Sequence, residues 1–142
     1  MVTRCRSVRR LAGAFALSAL IAGPALATEG LECRFDQKPV NGSWVPEVVV
    51  VAWETGSDQV MVYDPLIEQF VGEPMPARID TDNARRTTWS WEVKVKSGTN
   101  QNARMKFRLT MMKADRSASI SVTPQGYADN FQSSGRCTPV KP

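Results

Sequence analysis

From residue 87 to residue 112 the chain alternates between apolar and polar side chains. Trp89, Trp91, Val93 and Val95 are separated by Ser90, Glu92 and Lys94. After a polar break, Ala103, Met105, Phe107, Leu109 and Met111 are separated by Arg104, Lys106, Arg108 and Thr110. A period of two marks a strand with one buried and one wet face. Two such strands joined by a Gly-containing loop predict an antiparallel hairpin. For both apolar rows to face one core, odd residues must pair with odd ones. A five-residue loop over 98–102 then sets Glu92 opposite Arg108, Lys94 opposite Lys106 and Lys96 opposite Arg104.

The remaining chain reads as shorter strands broken by turns. Leu31, Cys33 and Phe35 share one face of a first strand over 31–35, and 48–53 is apolar on both faces, as in a strand covered on two sides. Further strands are expected over 59–63 and 117–123, with a last segment from Tyr127 to Cys137. Asp64, Pro65 and Gly72 are placed as N-cap, first helical residue and terminator of a short helix. Pro74 and Pro76 argue against a central strand, leaving a short edge strand over 77–80 and a turn over 81–84. Asn41-Gly42 suits a type I′ turn, and 139–142 reads as a frayed tail. Seven or eight short strands, evenly punctuated, predict an all-β fold: a small antiparallel β-barrel in preference to a sandwich.

The first 27 residues stand outside this pattern. Arg4, Arg6, Arg9 and Arg10 precede an apolar run over 11–23, and Ala25-Leu26-Ala27 supplies a small-residue cleavage signal. The run is shorter than the roughly 20 apolar residues of a spanning helix. We therefore expect 1–27 to be a cleaved signal peptide, 28–142 a single β domain, and the compartment to be the periplasm or the exterior. Removal changes the charge. The chain carries 18 Lys+Arg against 14 Asp+Glu, and the four basic residues of 1–27 are uncompensated, so the mature domain is near neutral. That excludes a global attraction to nucleic acid or anionic membrane. Two cysteines remain, Cys33 and Cys137, and an oxidising compartment predicts that they pair.

Catalysis is not expected. The chain has no histidine, which removes the usual general base and the commonest metal ligand. A bridged Cys33 and Cys137 leave no thiol nucleophile. Asp80 and Asp82 are spaced like the start of a calcium loop but lack its later glycine and closing glutamate, so they are read as a turn. No cofactor or metal is implied. Trp89 and Trp91 share a face with Val93 and Val95 and are assigned to the core. Trp44 and Trp53 are the candidate pocket aromatics, placed where they could line a barrel mouth. The one local charge cluster is the wet face of the hairpin. In the expected register Glu92 and Arg108 compensate each other, and Lys94, Lys96, Arg104 and Lys106 form a basic tip.

These readings give a non-catalytic exported envelope protein whose basic hairpin tip binds an anionic envelope component or an acidic protein. Nucleic acid is not among the expected partners, and the mature domain has no transmembrane segment. The alternatives are a lipocalin-like barrel holding a small apolar ligand between its aromatics, or an inhibitor of a cell-wall hydrolase. The last comes from a resemblance: Leu31-Glu32-Cys33 at the start and Cys137 near the end look like the paired cysteines of the exported lysozyme-inhibitor barrels. The likeness covers the two ends of the domain, and the Ser- and Gly-containing inhibitory loop of that family has no match here. It implies a barrel closed by a disulfide, at the level of fold.

Overall fold

Eight strands close into one antiparallel barrel in chain order, each hydrogen-bonded to the next and the last returning to the first. The structure is a computed structural model and describes residues 23, 27–36, 44–96, 98 and 101–140. Most of the expected signal peptide, the expected turn at Asn41-Gly42 and the last two residues lie outside the described residues. The strands are β1 (Thr28–Phe35), β2 (Val48–Glu54), β3 (Val60–Tyr63), β4 (Met75–Asp82), β5 (Arg86–Lys96), β6 (Asn102–Met112), β7 (Ser117–Pro124) and β8 (Phe131–Val140). One helix, α1 (Pro65–Phe70), interrupts them between β3 and β4.

The period-two pattern decides what faces inward. Leu31, Cys33 and Phe35 of β1, Val49 and Val51 of β2, and Ala118, Ile120 and Val122 of β7 are buried, as are the odd residues of β5 and β6 from Thr87 to Val95 and Met105 to Met111. Full closure leaves no sheet edge exposed. Cys33 and Cys137 are register partners across the β1–β8 seam and form the expected disulfide over a sequence separation of 104. The seam is tight: a Cβ at Gly135 would collide with the Arg34 backbone, so only glycine fits there.

Three expectations are corrected. The β5–β6 register is Glu92 opposite Lys106, Lys94 opposite Arg104 and Lys96 opposite Asn102, two residues away from the one expected. The loop still has five residues but spans 97–101. A slip of two keeps every apolar residue inside, so hydrophobic alternation cannot distinguish the two registers. The observed one sets Trp91 opposite Phe107, whose rings stack at 5.3 Å between centroids and 3° between planes. Such cross-strand aromatic pairs add stability beyond area burial.

Second, β4 runs from Met75 rather than Ala77 and continues through Asp82, with a bulge between Ile79 and Thr81. Pro76 is tolerated because the β4–β5 ladder starts only at Arg78, so no bond to β5 is lost at that proline. Third, Pro139 and Val140 are strand rather than frayed tail, paired with Leu31 and Gly30. Barrel closure requires β8 to run alongside β1.

The helix follows its capping residues. Asp64 Oδ1 accepts from the backbone N–H of Leu66 (2.8 Å) and Ile67 (2.9 Å), Pro65 opens the first turn, and Gly72 takes φ +86° beyond the end. Six residues make too short a helix to stand alone. It is held by Ile67, which is fully buried in the core cluster, and by packing against β5.

Candidate functional site

Strand direction gives the barrel two unlike ends. β3 runs from Val60 to Tyr63 and delivers α1 to one end, where Lys96 ends β5, Asn102 starts β6 and the β7–β8 turn also lies. The other end carries the β2–β3, β4–β5 and β6–β7 turns together with Thr28 and Val140. At this second end the barrel is open, with a cavity of about 760 Å³.

Its walls follow from inward parity at the strand ends. Leu31, Trp53, Val60, Ile79, Trp89 and Met111 present an apolar lining. Trp53 sits on β2 with Glu29 as its register partner on one side and Val60 on the other. Trp89 is 3% exposed and forms the floor, so one side chain serves both the core and the cavity. An eight-stranded barrel is just wide enough to fill with side chains or to hold one small ligand.

The rim carries the charge: Glu29, Asp58 and Asp82 against Lys113 and Arg116. Lys113 Nζ donates to Asp82 Oδ1 at 2.7 Å and Thr87 Oγ1 donates to the same oxygen at 3.1 Å. The Lys113 bond first, and the Thr87 bond next, hold the Asp82 carboxyl below its ordinary value of 3.8. Arg116 has φ +58°, and its carbonyl accepts from Cys137 N at 2.9 Å, which ties the β6–β7 turn to the disulfide strand. Among the described residues Arg116 makes no ion pair. Across the opening, Thr55 Oγ1 donates to Glu29 Oε1 at 3.2 Å and Thr55 N to Ala27 O at 3.0 Å, anchoring the β2–β3 turn.

The opposite end is closed. Ile67, Trp91 and Phe107 fill it. Asp64 is 2% exposed, and its Oδ2 and the indole Nε1 of Trp91 are both buried without a hydrogen-bond partner among the described residues. The two groups lie near each other but outside hydrogen-bond geometry. Burial pushes the Asp64 carboxyl up, against the opposing pull of the Ile67 and Leu66 N–H groups and the nearby indole.

Of the two candidate pocket aromatics, Trp53 lines the open mouth. Trp44 precedes β2 near the closed end and packs, half-buried, against the core. The basic tip also lies at the closed end. Lys94, Lys96, Arg104 and Lys106 are all exposed, but the register gives Lys106 a carboxylate across the ladder in Glu92 and leaves Lys94 facing Arg104. None of the four makes an ion pair among the described residues. Asp80 and Asp82 lie in β4 rather than in a turn and serve different partners, Arg78 at 2.7 Å and Lys113. Among the described residues no three side chains form a metal-ligating group, and no helix is long and apolar enough to cross a membrane.

Sequence reasoning missed Trp89 as a floor residue and Asp82, Lys113 and Arg116 as rim residues. Asp82, Lys113 and Arg116 sit at or just beyond strand ends and Trp89 three residues inside β5, and only the closed register shows that these ends converge. Comparison with known proteins adds no relative: no family model matches the chain, and no curated protein and no solved structure matches it.

Proposed function

We propose that this protein is a non-catalytic exported binding module that takes a small apolar or amphipathic molecule into the open mouth of its barrel. The observation that carries this is the 760 Å³ cavity between Trp53 and Trp89, within the usual range for small-molecule sites. Its apolar lining would bury the body of such a ligand, and its charged rim would meet a polar end. Cleavage after Ala27 would add the α-amine of Thr28 to that rim, setting three cations against Glu29, Asp58 and Asp82. A balanced rim favours a ligand without strong net charge. Export to the periplasm or beyond agrees with the Cys33–Cys137 disulfide, since such bonds persist in oxidising compartments.

The test is saturable binding of a neutral fluorescent naphthylamine, read by quenching of tryptophan emission. The mature domain should bind one equivalent, and Trp53→Ala should weaken binding about tenfold, as expected for loss of an aromatic contact. No saturable quenching in the parent, or an unchanged affinity in the variant, would overturn this reading.

A second reading keeps the basic hairpin tip as a contact for an anionic envelope component or acidic protein. It is supported by Lys94 and Arg104 facing each other at outward positions with Lys96 beside them. Replacing Lys94, Lys96, Arg104 and Lys106 by glutamine should then release the protein from an anionic resin at lower salt. Elution at the parent's salt concentration would remove this reading. The likeness to lysozyme inhibitors remains one of fold and assigns no residue a role.

A further inference from the structure

The outer wall of the barrel carries a row of small hydroxyl side chains that runs across five strands. Thr81 is the register partner of Thr88, Thr88 of Thr110, Thr110 of Ser119, and Ser119 of Ser134. These positions have the opposite parity to the buried Trp89, Leu109 and Ile120, so they stand on the outside. At one inter-strand spacing per step, the row is about 19 Å long. Thr88 is nonetheless only 1% exposed and its neighbour Ser90 only 5%, so this part of the wall is sunken.

Longer cationic side chains flank the row. On one side lie Arg78 and Arg108, both register partners of Ser90; on the other lie Arg86 on β5 and Arg136 on β8. Of these, Arg86 and Arg108 line a groove of about 570 Å³ together with Thr110, Ser119, Ser121 and Ser134, and Arg78 and Arg136 lie outside it. The negative charge nearby is small. Asp80 pairs with Arg78 at 2.7 Å and also attracts Arg108, while Arg136 donates to the backbone oxygen of Asp115 at 2.9 Å. Arg86 and Arg108 make no ion pair among the described residues.

We propose that this groove is a second binding site, separate from the mouth, for an acidic polysaccharide: a sugar chain bearing carboxylate or phosphate groups. Evenly spaced hydroxyls donate and accept hydrogen bonds along an extended polyol. Arginine forks hold carboxylate or phosphate in two parallel bonds. The lining argues against other anionic polymers. It has no aromatic platform on which bases would stack. Met112 is the one large apolar side chain exposed there, too little for a lipid tail. A peptide strand cannot add to a barrel without an edge.

Affinity electrophoresis of the mature domain through gels holding polygalacturonate, phosphomannan or neutral dextran tests the proposal. The protein should be retarded by one or both acidic polymers, which also assigns the acid, and not by dextran. Arg86→Gln/Arg108→Gln should weaken retardation about tenfold or more, the cost of losing charge-assisted bonds. Ser119→Trp keeps every charge and fills the groove, so it should abolish retardation; Ser134→Tyr fills it from the next strand and serves if the first variant does not fold. Parental retardation in a folded groove-filling variant, or indifference of the parent to both acidic polymers, would overturn it.

Discussion

The two ends of the barrel are built from the same strands and the same alternation, yet one is sealed and the other open. At the sealed end Trp91 stacks on Phe107 and Ile67 enters from α1, so the inward positions are satisfied by partners within the chain. At the open end Trp53 and Trp89 face inward with no helix above them among the described residues, and the short turns stay on the rim. The difference teaches that an inward-facing tryptophan is not by itself a core residue or a site residue. What decides is whether another element reaches over it.

The comparison yields measurable consequences, the largest at the sealed end. Trp91→Ala removes a buried, stacked aromatic and should cost about 3–5 kcal/mol in urea unfolding. Trp53→Ala, at a half-buried position, should cost only about 1 kcal/mol. Equal costs would erase the distinction between the ends. The seam runs through both, so replacing Cys33 and Cys137 together by alanine should cost about 2–5 kcal/mol. That loss should lower the melting temperature and, through the Arg116–Cys137 backbone bond, weaken probe binding at the mouth.

Acidity separates the ends with opposite signs. Asp64 is raised above its ordinary 3.8, so the fold is favoured by its protonated form. That contribution is complete below about pH 3.8 and is lost as pH rises through the raised folded value. Asp64→Asn keeps an N-cap but cannot ionise. Its melting temperature should gain on the parent's as pH rises above 3.8, and parallel pH profiles would show that Asp64 is not desolvated. Asp82 at the mouth is lowered, so its contribution is present above pH 3.8 and fades as pH falls through the depressed folded value. Because its side chain is 56% exposed, Asp82→Asn should cost less than about 1 kcal/mol at neutral pH. The smallest effect belongs to the hairpin ladder. Lys94→Gln removes a like-charge pair with Arg104 and should change stability by no more than about 0.5 kcal/mol, in the favourable direction.

Much of the closed end was readable from local signals. The capping set Asp64, Pro65 and Gly72 placed a helix that the structure shows at 65–70. The alternation from Trp89 to Met111 marked which side chains go inside. The mouth was less readable. Trp53 was named as a pocket aromatic, but Trp89 looked like core and Asp82 like part of a turn, because a residue's own neighbours do not say which strand ends meet above it. The hydroxyl row was invisible for the same reason: Thr81, Thr88, Thr110, Ser119 and Ser134 are scattered along the sequence and align only in register.

What the sequence by itself determined was parity: which side chains face in, where turns break the chain, and that Cys33 and Cys137 stand in the first strand and the last segment of the β domain. These depend on period, composition and neighbours a few residues away, which any reader of the chain can see. Tertiary structure decided the two-residue slip in the β5–β6 register, the conversion of Pro139 and Val140 from tail to strand, the opening at one end, and the groove on the outer wall. Each of these turns on long-range pairing, where alternatives that keep the apolar residues inside differ only in cross-strand packing such as the Trp91–Phe107 stack.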